Sequence, residues 1–169
     1  MPHALFPTSL GVCGLAWSAA GITGFALPPV YSGFTDTGDE DQSGDPPEEI
    51  AALIVRVTTH LSGKPDDFGD VRYDFGRLSA FQRAVYEAAL RVKAGDVRTY
   101  GWLATEAGRT TQASRAVGGA LGQNPWPLLI PCHRFVGANG KMTGFSAPGG
   151  VVTKRKLLAL EGAELLAED

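Results

Sequence analysis

The residues of this chain that can do chemistry lie together in one short segment, Pro131-Cys132-His133-Arg134. A thiolate is a strong nucleophile, but an unperturbed cysteine is only a few per cent ionised at neutral pH. A histidine nearby changes this, because its ordinary pKa suits proton transfer near neutrality. Neighbouring side chains of an extended segment point to opposite faces, so adjacency alone leaves open whether the thiol and the imidazole touch. The segment therefore makes Cys132 a candidate nucleophile, and whether His133 assists it stays open at this point.

Short helices are predicted before this motif and are expected to position it. Ser79 followed three residues later by Gln82 is a capping-box pattern that starts one helix. Thr99 caps the next helix, which Gly108 ends, and a further helix runs up to Pro125. Two short helices joined by a glycine-containing turn are typical of a helix-turn-helix.

The N-terminal half has a different pattern. Residues 9–29 predict two strands around a turn, because small residues and β-formers alternate with glycines. A helix is expected from near Asp45 to Gly63, and the alternation in residues 71–75 predicts another strand. The composition changes near residue 77. We therefore predict an α+β fold with an N-terminal domain over residues 1–77 and a mostly helical domain over residues 78–169.

Composition limits the classes of protein to consider. The 169 residues are 44% hydrophobic and 20% charged, which is typical of a soluble globular protein. The chain has no run of 18 apolar residues and no secretory signal pattern at its start. Two cysteines do not make a disulfide framework, so both are expected to be reduced, in a cytoplasmic protein.

Charge is distributed unevenly along the chain. The net charge is −3, but residues 97–156 hold eight basic side chains and one acidic side chain. A cationic segment on an acidic body is a plausible footprint for a polyanion such as DNA, although a solvated surface with chance clustering gives the same count. Lys154, Arg155 and Lys156 are candidates for phosphate contacts or for an ordinary helix surface.

Several motifs occur together in the second half of the chain. In order they are Phe81-Gln82, Val97-Arg98-Thr99-Tyr100-Gly101, Ser114-Arg115-Ala116-Val117-Gly118-Gly119-Ala120, Asn124-Pro125, Leu129-Ile130-Pro131-Cys132-His133-Arg134, Gly144-Phe145-Ser146 and Glu161-Gly162. In residue types, order and spacing, this half resembles the O6-alkylguanine-DNA alkyltransferase family, also called methylated-DNA–protein-cysteine methyltransferases. The resemblance covers roughly residues 78–165, and the N-terminal half matches only as a loose strand-and-helix pattern.

The resemblance implies a fold and a reaction. The fold is a ribonuclease H-like N-terminal domain with a small antiparallel sheet, followed by a winged-helix-like domain. The reaction is direct reversal of damage in double-stranded DNA, in which Cys132 takes the alkyl group from O6 of guanine irreversibly. His133 then acts as general base through a water, and Glu161 orients the imidazole. This chemistry requires no cofactor, and a monomer is the default for the family. Some relatives carry a structural zinc, but no metal site is predicted in this chain.

The family motifs also assign roles to residues around the thiol. Asn124 holds the cysteine-bearing segment, and Tyr100 donates to a ring nitrogen of the departing guanine. Arg115 enters the base stack in place of the extruded nucleotide. The residues expected to contact DNA are Arg115, Ala116, Gly118, Gly119 and Arg134.

The expected base pocket departs from the family pattern at two positions. Phe135 stands where many relatives have Val and Phe145 where many have Tyr, while Ser146 is expected to donate to guanine O6. These three residues are predicted to bind the substrate. The two exchanges bear on the size of the alkyl group and the rate, and not on the class of reaction.

Other interpretations stay open from the sequence alone. An alkyltransferase-like lesion sensor binds DNA without reacting, but such proteins typically lack the acceptor cysteine. A Cys-His hydrolase would turn over repeatedly on an ester or amide. His3, Cys13 and His60 are conceivable zinc ligands, but Cys13 lies in an apolar strand and is predicted to be a buried thiol.

Overall fold

The computed structural model describes residues 2–30, 46–140 and 150–163. In the N-terminal half, β1 (His3–Thr8), β2 (Gly11–Ser18) and β3 (Gly21–Ala26) form an antiparallel sheet in the order β1-β2-β3. The predicted hairpin is confirmed as β2 and β3. Strand β1 was not predicted; it includes Pro7, and as an edge strand it tolerates a residue without an N–H.

The turn into β3 requires a glycine. Gly21 has a φ of 143°, and a Cβ at this position would lie 2.4 Å from the carbonyl oxygen of Arg72. Residues 71–75 do not form the predicted strand. Tyr73 makes an isolated parallel bridge to Ile22, after which the Asp74 carboxylate accepts a hydrogen bond from the backbone N–H of Gly76 and turns the chain.

Helix α1 (Glu48–Leu61) lies against β1 and buries an apolar face formed by Ile50, Leu53, Val57 and Leu61. It begins at Glu48, because Pro47 is extended with a ψ of 153° and serves as the N-cap. Asp45, where the start was expected, is outside the described residues. His60 is buried on the same face as Val57, one turn away.

The C-terminal half contains α2 (Ala80–Ala89), α3 (Tyr100–Glu106), α4 (Ser114–Gly122) and α5 (Gly150–Leu160). The capping box at the start of α2 is confirmed, with Ser79 and Gln82 exchanging both hydrogen bonds. The Thr99 hydroxyl accepts a hydrogen bond from the Trp102 backbone N–H at 3.0 Å and caps α3 as predicted. Helices α3 and α4 pack together as the predicted helix-turn-helix. Every helix in the described ranges is too short or too polar to span a bilayer.

A short parallel pairing connects the helix-turn-helix to the cysteine segment. Strand β4 (Arg98–Thr99) pairs with β5 (Phe135–Val136), so the start of α3 lies beside the residues that directly follow the cysteine motif. Two-residue strands leave no periodic pattern in a sequence, and neither was predicted.

One continuous hydrophobic core joins the two halves. The indole of Trp126 donates to the carbonyl oxygen of Ile22 at 2.9 Å and packs edge-on against Tyr73 and Tyr86. The predicted α+β arrangement, a small antiparallel sheet followed by a helical half, is confirmed. The boundary near residue 77 stays a prediction.

Candidate active site

Cys132 is the first residue of a single 3-10 turn, Cys132–Arg134, and is only 6% exposed. The chain enters this turn through Leu128, a buried residue held at a φ of 79° in the left-handed region. Non-glycine residues rarely adopt this conformation, and where they do the surrounding structure must hold them. The backbone turns tightly between Trp126 and Ile130, because the Trp126 carbonyl accepts from the Ile130 N–H at 2.9 Å. This turn fixes the position of the Cys132 sulfur.

The side chain of Asn124 holds this segment at three points. Its amide group donates to the carbonyl oxygen of Ile130 at 2.9 Å, and its oxygen accepts from the backbone N–H of Trp126 at 2.9 Å. The same side chain hydrogen-bonds the Cys132 sulfur. This geometry is what the predicted role of Asn124 requires.

Burial raises the pKa of the Cys132 thiol, and this effect is opposed by the Asn124 hydrogen bond and by the nearby charge of Lys154. The resting thiol is therefore protonated at neutral pH, and nucleophilic attack by the sulfur requires a base that accepts its proton.

His133 has the geometry of that base. Its Nε2 lies 2.7 Å and 2.9 Å from the two carboxylate oxygens of Glu161, while its buried Nδ1 has no hydrogen-bond partner among the residues that the structure describes. Burial lowers the pKa of His133, opposed by the Glu161 carboxylate. A neutral imidazole facing a carboxylate carries its proton on Nε2, which leaves the Nδ1 lone pair to accept a proton.

Glu161 follows the end of α5 and is buried, 28 residues beyond His133 in sequence. Burial alone would raise its pKa, but His133 holds it well below its usual range, together with hydrogen bonds from His60 and Arg134. Because the Arg134 guanidinium is always charged, the carboxylate stays ionised whichever form His133 takes. The contact between His133 and Glu161 that the resemblance implied is present.

Arg134 does not have the position that was predicted for it. The side chain is 1% exposed and donates to Glu161 through Nε at 3.0 Å and through a terminal nitrogen at 2.7 Å. The other terminal nitrogen donates to the carbonyl oxygen of Val92 at 2.7 Å. The predicted contact of Arg134 with DNA is wrong, because the guanidinium is enclosed and its charge is paired with Glu161.

Lys154 is buried as well, although the sequence indicated a surface residue or a phosphate contact. Its ammonium group donates to the carbonyl oxygen of Phe135 at 2.6 Å and lies 5.9 Å from the centre of the Tyr100 ring. Burial lowers the pKa of Lys154 to about 8, and the thiolate form of Cys132 opposes this shift. The lysine is thus mostly cationic at neutral pH and favours the thiolate.

Replacing Lys154 with Met is expected to slow the reaction of Cys132 with a small alkylating reagent about 10-fold at pH 7. Methionine keeps the apolar stem but removes the cation that opposes the raised pKa of the thiol. The rate is measured by intact mass after timed exposure to iodoacetamide. Lys156→Met is the matched control, because Lys156 is exposed on α5 two residues after Lys154, and this variant should react at the wild-type rate. Equal slowing of both variants would contradict the role of Lys154 in favouring the thiolate.

The predicted DNA-contacting residues of α4 lie on an open surface. Arg115, Ala116 and Gly119 are exposed, and a groove of about 960 Å³ between α3 and α4 is lined by Tyr100, Arg115 and Gly118 among others. Tyr100 therefore lines the groove and also contacts the buried Lys154, so it connects the surface to the interior of the site.

The predicted base pocket is placed only in part. Phe145 and Ser146 lie outside the described residues. The ring of Phe135 is fully buried in the core, and its carbonyl oxygen accepts from Lys154. This position does not support direct contact of the Phe135 side chain with the substrate. Cys13 is fully buried, as predicted, and burial raises its pKa to about 11.

A helix-turn-helix with an open groove, and beside it a buried cysteine backed by His133 and Glu161, define a protein that does thiol chemistry at a nucleic-acid surface. Residues 80–163 match the family model described as 6-O-methylguanine DNA methyltransferase, DNA binding domain. The chain is 32% identical over 152 residues to a methylated-DNA–protein-cysteine methyltransferase of Methanothermobacter thermautotrophicus, covering 90% of this chain and 80% of that protein.

A protein of the same name from Mycobacterium tuberculosis is 38% identical over 122 residues, which are 72% of this chain and 71% of the relative. A crystal structure of Mycobacterium tuberculosis OGT in complex with DNA superposes with a TM-score of 0.78 at 31% identity, covering 96% of this chain and 93% of that one. The chain belongs to the methylated-DNA–protein-cysteine methyltransferase family. The resemblance found from the motifs is confirmed.

Proposed function

We infer that this protein repairs O6-alkylguanine in double-stranded DNA by transferring the alkyl group to Cys132, once per molecule. The observation that carries the inference is the buried network behind the thiol, in which His133 Nε2 faces Glu161 at 2.7 Å and Nδ1 has no partner within residues 2–30, 46–140 and 150–163. The names of the relatives and the DNA-bound structure of one of them support the same activity.

In the proposed reaction, the proton of the Cys132 thiol passes through a water to Nδ1 of His133. Glu161 stabilises the imidazolium that forms. The thiolate attacks the alkyl carbon, an S–C bond forms, and the bond between that carbon and O6 breaks. The electron pair leaves with guanine, and Tyr100 donates a proton toward a ring nitrogen of the departing base. The thioether is stable, so the acceptor is consumed and no cofactor takes part.

Access to the alkylated base requires that the nucleotide leave the helix stack, which costs a few kcal/mol. Arg115 is exposed on α4 at the groove that Tyr100 also lines, so its planar cation can fill the gap in the stack. Ala116, Gly118 and Gly119 present no bulk on the same helix, and added Cβ atoms at the two glycines would meet open space. We propose that this helix lies against the DNA.

Replacing Arg115 with Ala is expected to slow repair of a methylated duplex about 10-fold or more, yet to leave the reaction with free O6-benzylguanine nearly unchanged. The free base needs no extrusion, so only the duplex reaction loses the filling cation. Single-turnover rates on the two substrates are compared, with Arg72→Ala, an exposed arginine paired with Glu49, as the control. Equal losses on both substrates would remove Arg115 from base extrusion.

Intact-protein mass spectrometry after incubation with an O6-methylguanine duplex tests the proposed function directly. The expected result is a gain of one methyl group in place of one hydrogen, mapped to Cys132 by peptide analysis, with no second turnover. Binding without mass gain would instead support a lesion sensor that recruits other repair factors. The proposal includes a monomer located in the cytoplasm, and native mass spectrometry of the same sample reports the oligomeric state.

A further inference from the structure

His60 is a buried histidine from the N-terminal half that reaches the catalytic network. It lies near the end of α1, is 1% exposed, and its Nε2 is 3.1 Å from a carboxylate oxygen of Glu161, a residue 101 positions later in the sequence. None of the family motifs in the chain includes it. Its contact is with the same carboxylate that faces His133.

The loop after α1 fixes which nitrogen of His60 carries the proton. The backbone N–H of Asp66 points at Nδ1 of His60 at 2.8 Å, and a backbone N–H can only donate. Nδ1 is therefore the acceptor, so Nε2 carries the ring proton and donates to Glu161. Arg56, one turn before His60 on α1, holds the Asp66 carboxylate with two hydrogen bonds of 2.8 Å and keeps the loop in place.

The donor from His60 completes the set around Glu161. One carboxylate oxygen accepts from His133 and from Nε of Arg134, and the other accepts from His60, a terminal nitrogen of Arg134 and, at 2.9 Å, His133. These donors come from α1 and from the turn that carries Cys132, so the carboxylate is held from both halves of the protein. In the part of the chain that the structure describes, His60 is the donor to this carboxylate that comes from α1, and the other donors come from the cysteine turn.

We propose that His60 is a positioning residue for alkyl transfer: it donates to Glu161 from the N-terminal half and thereby holds the carboxylate in the orientation that keeps His133 a neutral base. The proposal rests on the proposed function and adds a role for α1 in the site. Among the residues that the structure describes, His60 contacts Glu161 and shares that carboxylate oxygen with His133 and Arg134, while the carboxylate of Asp66 is turned toward Arg56.

The hydrogen bond from His60 to Glu161 also affects the protonation of His133. A hydrogen bond from the Nε2–H group of His60 draws on the negative charge of Glu161, and the positive end of that bond also opposes a second proton on His133, which shares the same carboxylate oxygen. Loss of the donor is therefore expected to raise the pKa of His133 and to loosen its orientation together.

Two isosteric variants separate the two nitrogens of His60. The amide nitrogen of Gln reaches the place of Nε2, so His60→Gln keeps the donor to Glu161, whereas the shorter Asn reaches only the place of Nδ1, so His60→Asn keeps the contact to Asp66 and loses the donor. We expect His60→Asn to slow single-turnover transfer from a methylated duplex about 10-fold and His60→Gln to stay within about threefold of the wild type.

Nuclear magnetic resonance supplies the readout that a purely structural role would not move. The chain has three histidines, so His3→Asn and the two His60 variants assign every imidazole signal. In the wild type we expect the Nε2–H tautomer at both His60 and His133. In His60→Asn we expect the titration midpoint of His133 to move to higher pH, and in His60→Gln we expect it to remain in place.

A wild-type His60 with its proton on Nδ1 overturns the proposal, and this measurement needs no variant to fold. Equal transfer rates and equal His133 titrations in the two His60 variants overturn it as well. So does an equal fall in transfer rate in both variants that accompanies an equal fall in their thermal stability. If the wild type takes up no methyl group, the proposed function fails, whereas the tautomer and the His133 titration still decide the role of His60.

Discussion

Replacing Cys132 with Ala is expected to abolish alkyl transfer while leaving the binding of duplex DNA intact. The sulfur is the nucleophile in the proposed transfer, whereas His133 is buried with Nε2 facing Glu161 and is assigned the role of base. The residues of the proposed DNA surface, such as Arg115 and Gly119, are exposed on α4, whereas Cys132 is buried. Intact mass reports transfer, and fluorescence anisotropy with a labelled methylated duplex reports binding.

The chain offers a matched control for this variant in Cys13. This cysteine is fully buried in β2, and burial raises its pKa to about 11, so it is an inert thiol in a core position. Cys13→Ala should therefore keep transfer at the wild-type rate, although it leaves a small cavity in the sheet. Methylation of Cys132→Ala at the wild-type rate, or loss of transfer in Cys13→Ala alone, would move the acceptor away from Cys132.

Local signals in the sequence predict the start and end of the helices well. The capping box at Ser79 and the Thr99 cap depend on residues three positions apart, and the structure has both. The predicted strand at residues 71–75 shows where such signals end. The residues do alternate, but Tyr73 forms a single bridge with Ile22 of β3 before the chain turns at Asp74. A local sequence pattern does not show how many residues of a neighbouring strand will be available for pairing.

The contacts of the buried polar side chains in the site could not be predicted from the spacing of residues in the sequence. His60 lies three residues after Val57 and Lys154 lies three residues before Leu157, so both occupy the buried faces of their helices. That spacing was a signal of burial for both side chains. Their partners were not predictable, because Glu161 reaches His60 across 101 residues and Lys154 reaches Phe135 across 19.

The burial of Arg134 and Lys154 changes how the charge of this segment is understood. Both belong to the eight basic residues of positions 97–156 that indicated a polyanion footprint, yet one neutralises Glu161 and the other lies beside the thiol. The charge that remains for DNA is therefore smaller than the count indicated. We expect a correspondingly modest dependence of DNA affinity on salt concentration.

Replacing Glu161 with Gln is expected to cost about 3–5 kcal/mol of folding free energy, because the buried guanidinium of Arg134 loses its counter-charge. In addition, the amide N–H group of Gln is a donor in a place where Arg134, His60 and His133 all donate, so two donors must face each other. Where the amide N–H group faces His133, the imidazole is forced to carry its proton on Nδ1 and cannot act as base. Transfer should then fall about 100-fold or more, since a wrong tautomer removes general-base catalysis.

The pH dependence of stability distinguishes this variant from a general loss of packing. The pKa of Glu161 is held well below its ordinary value of 4.5, so its contribution is fully present above that value and is lost as pH falls below it. Urea unfolding of the wild type should therefore show stability falling below about pH 4.5, and Glu161→Gln should lack this part of the fall. Glu87→Gln, which removes only an exposed pair with Arg83, should cost no more than about 0.5 kcal/mol and retain the wild-type pH profile. An unchanged acid profile in Glu161→Gln would mean that the carboxylate is not the charge on which this buried cluster depends.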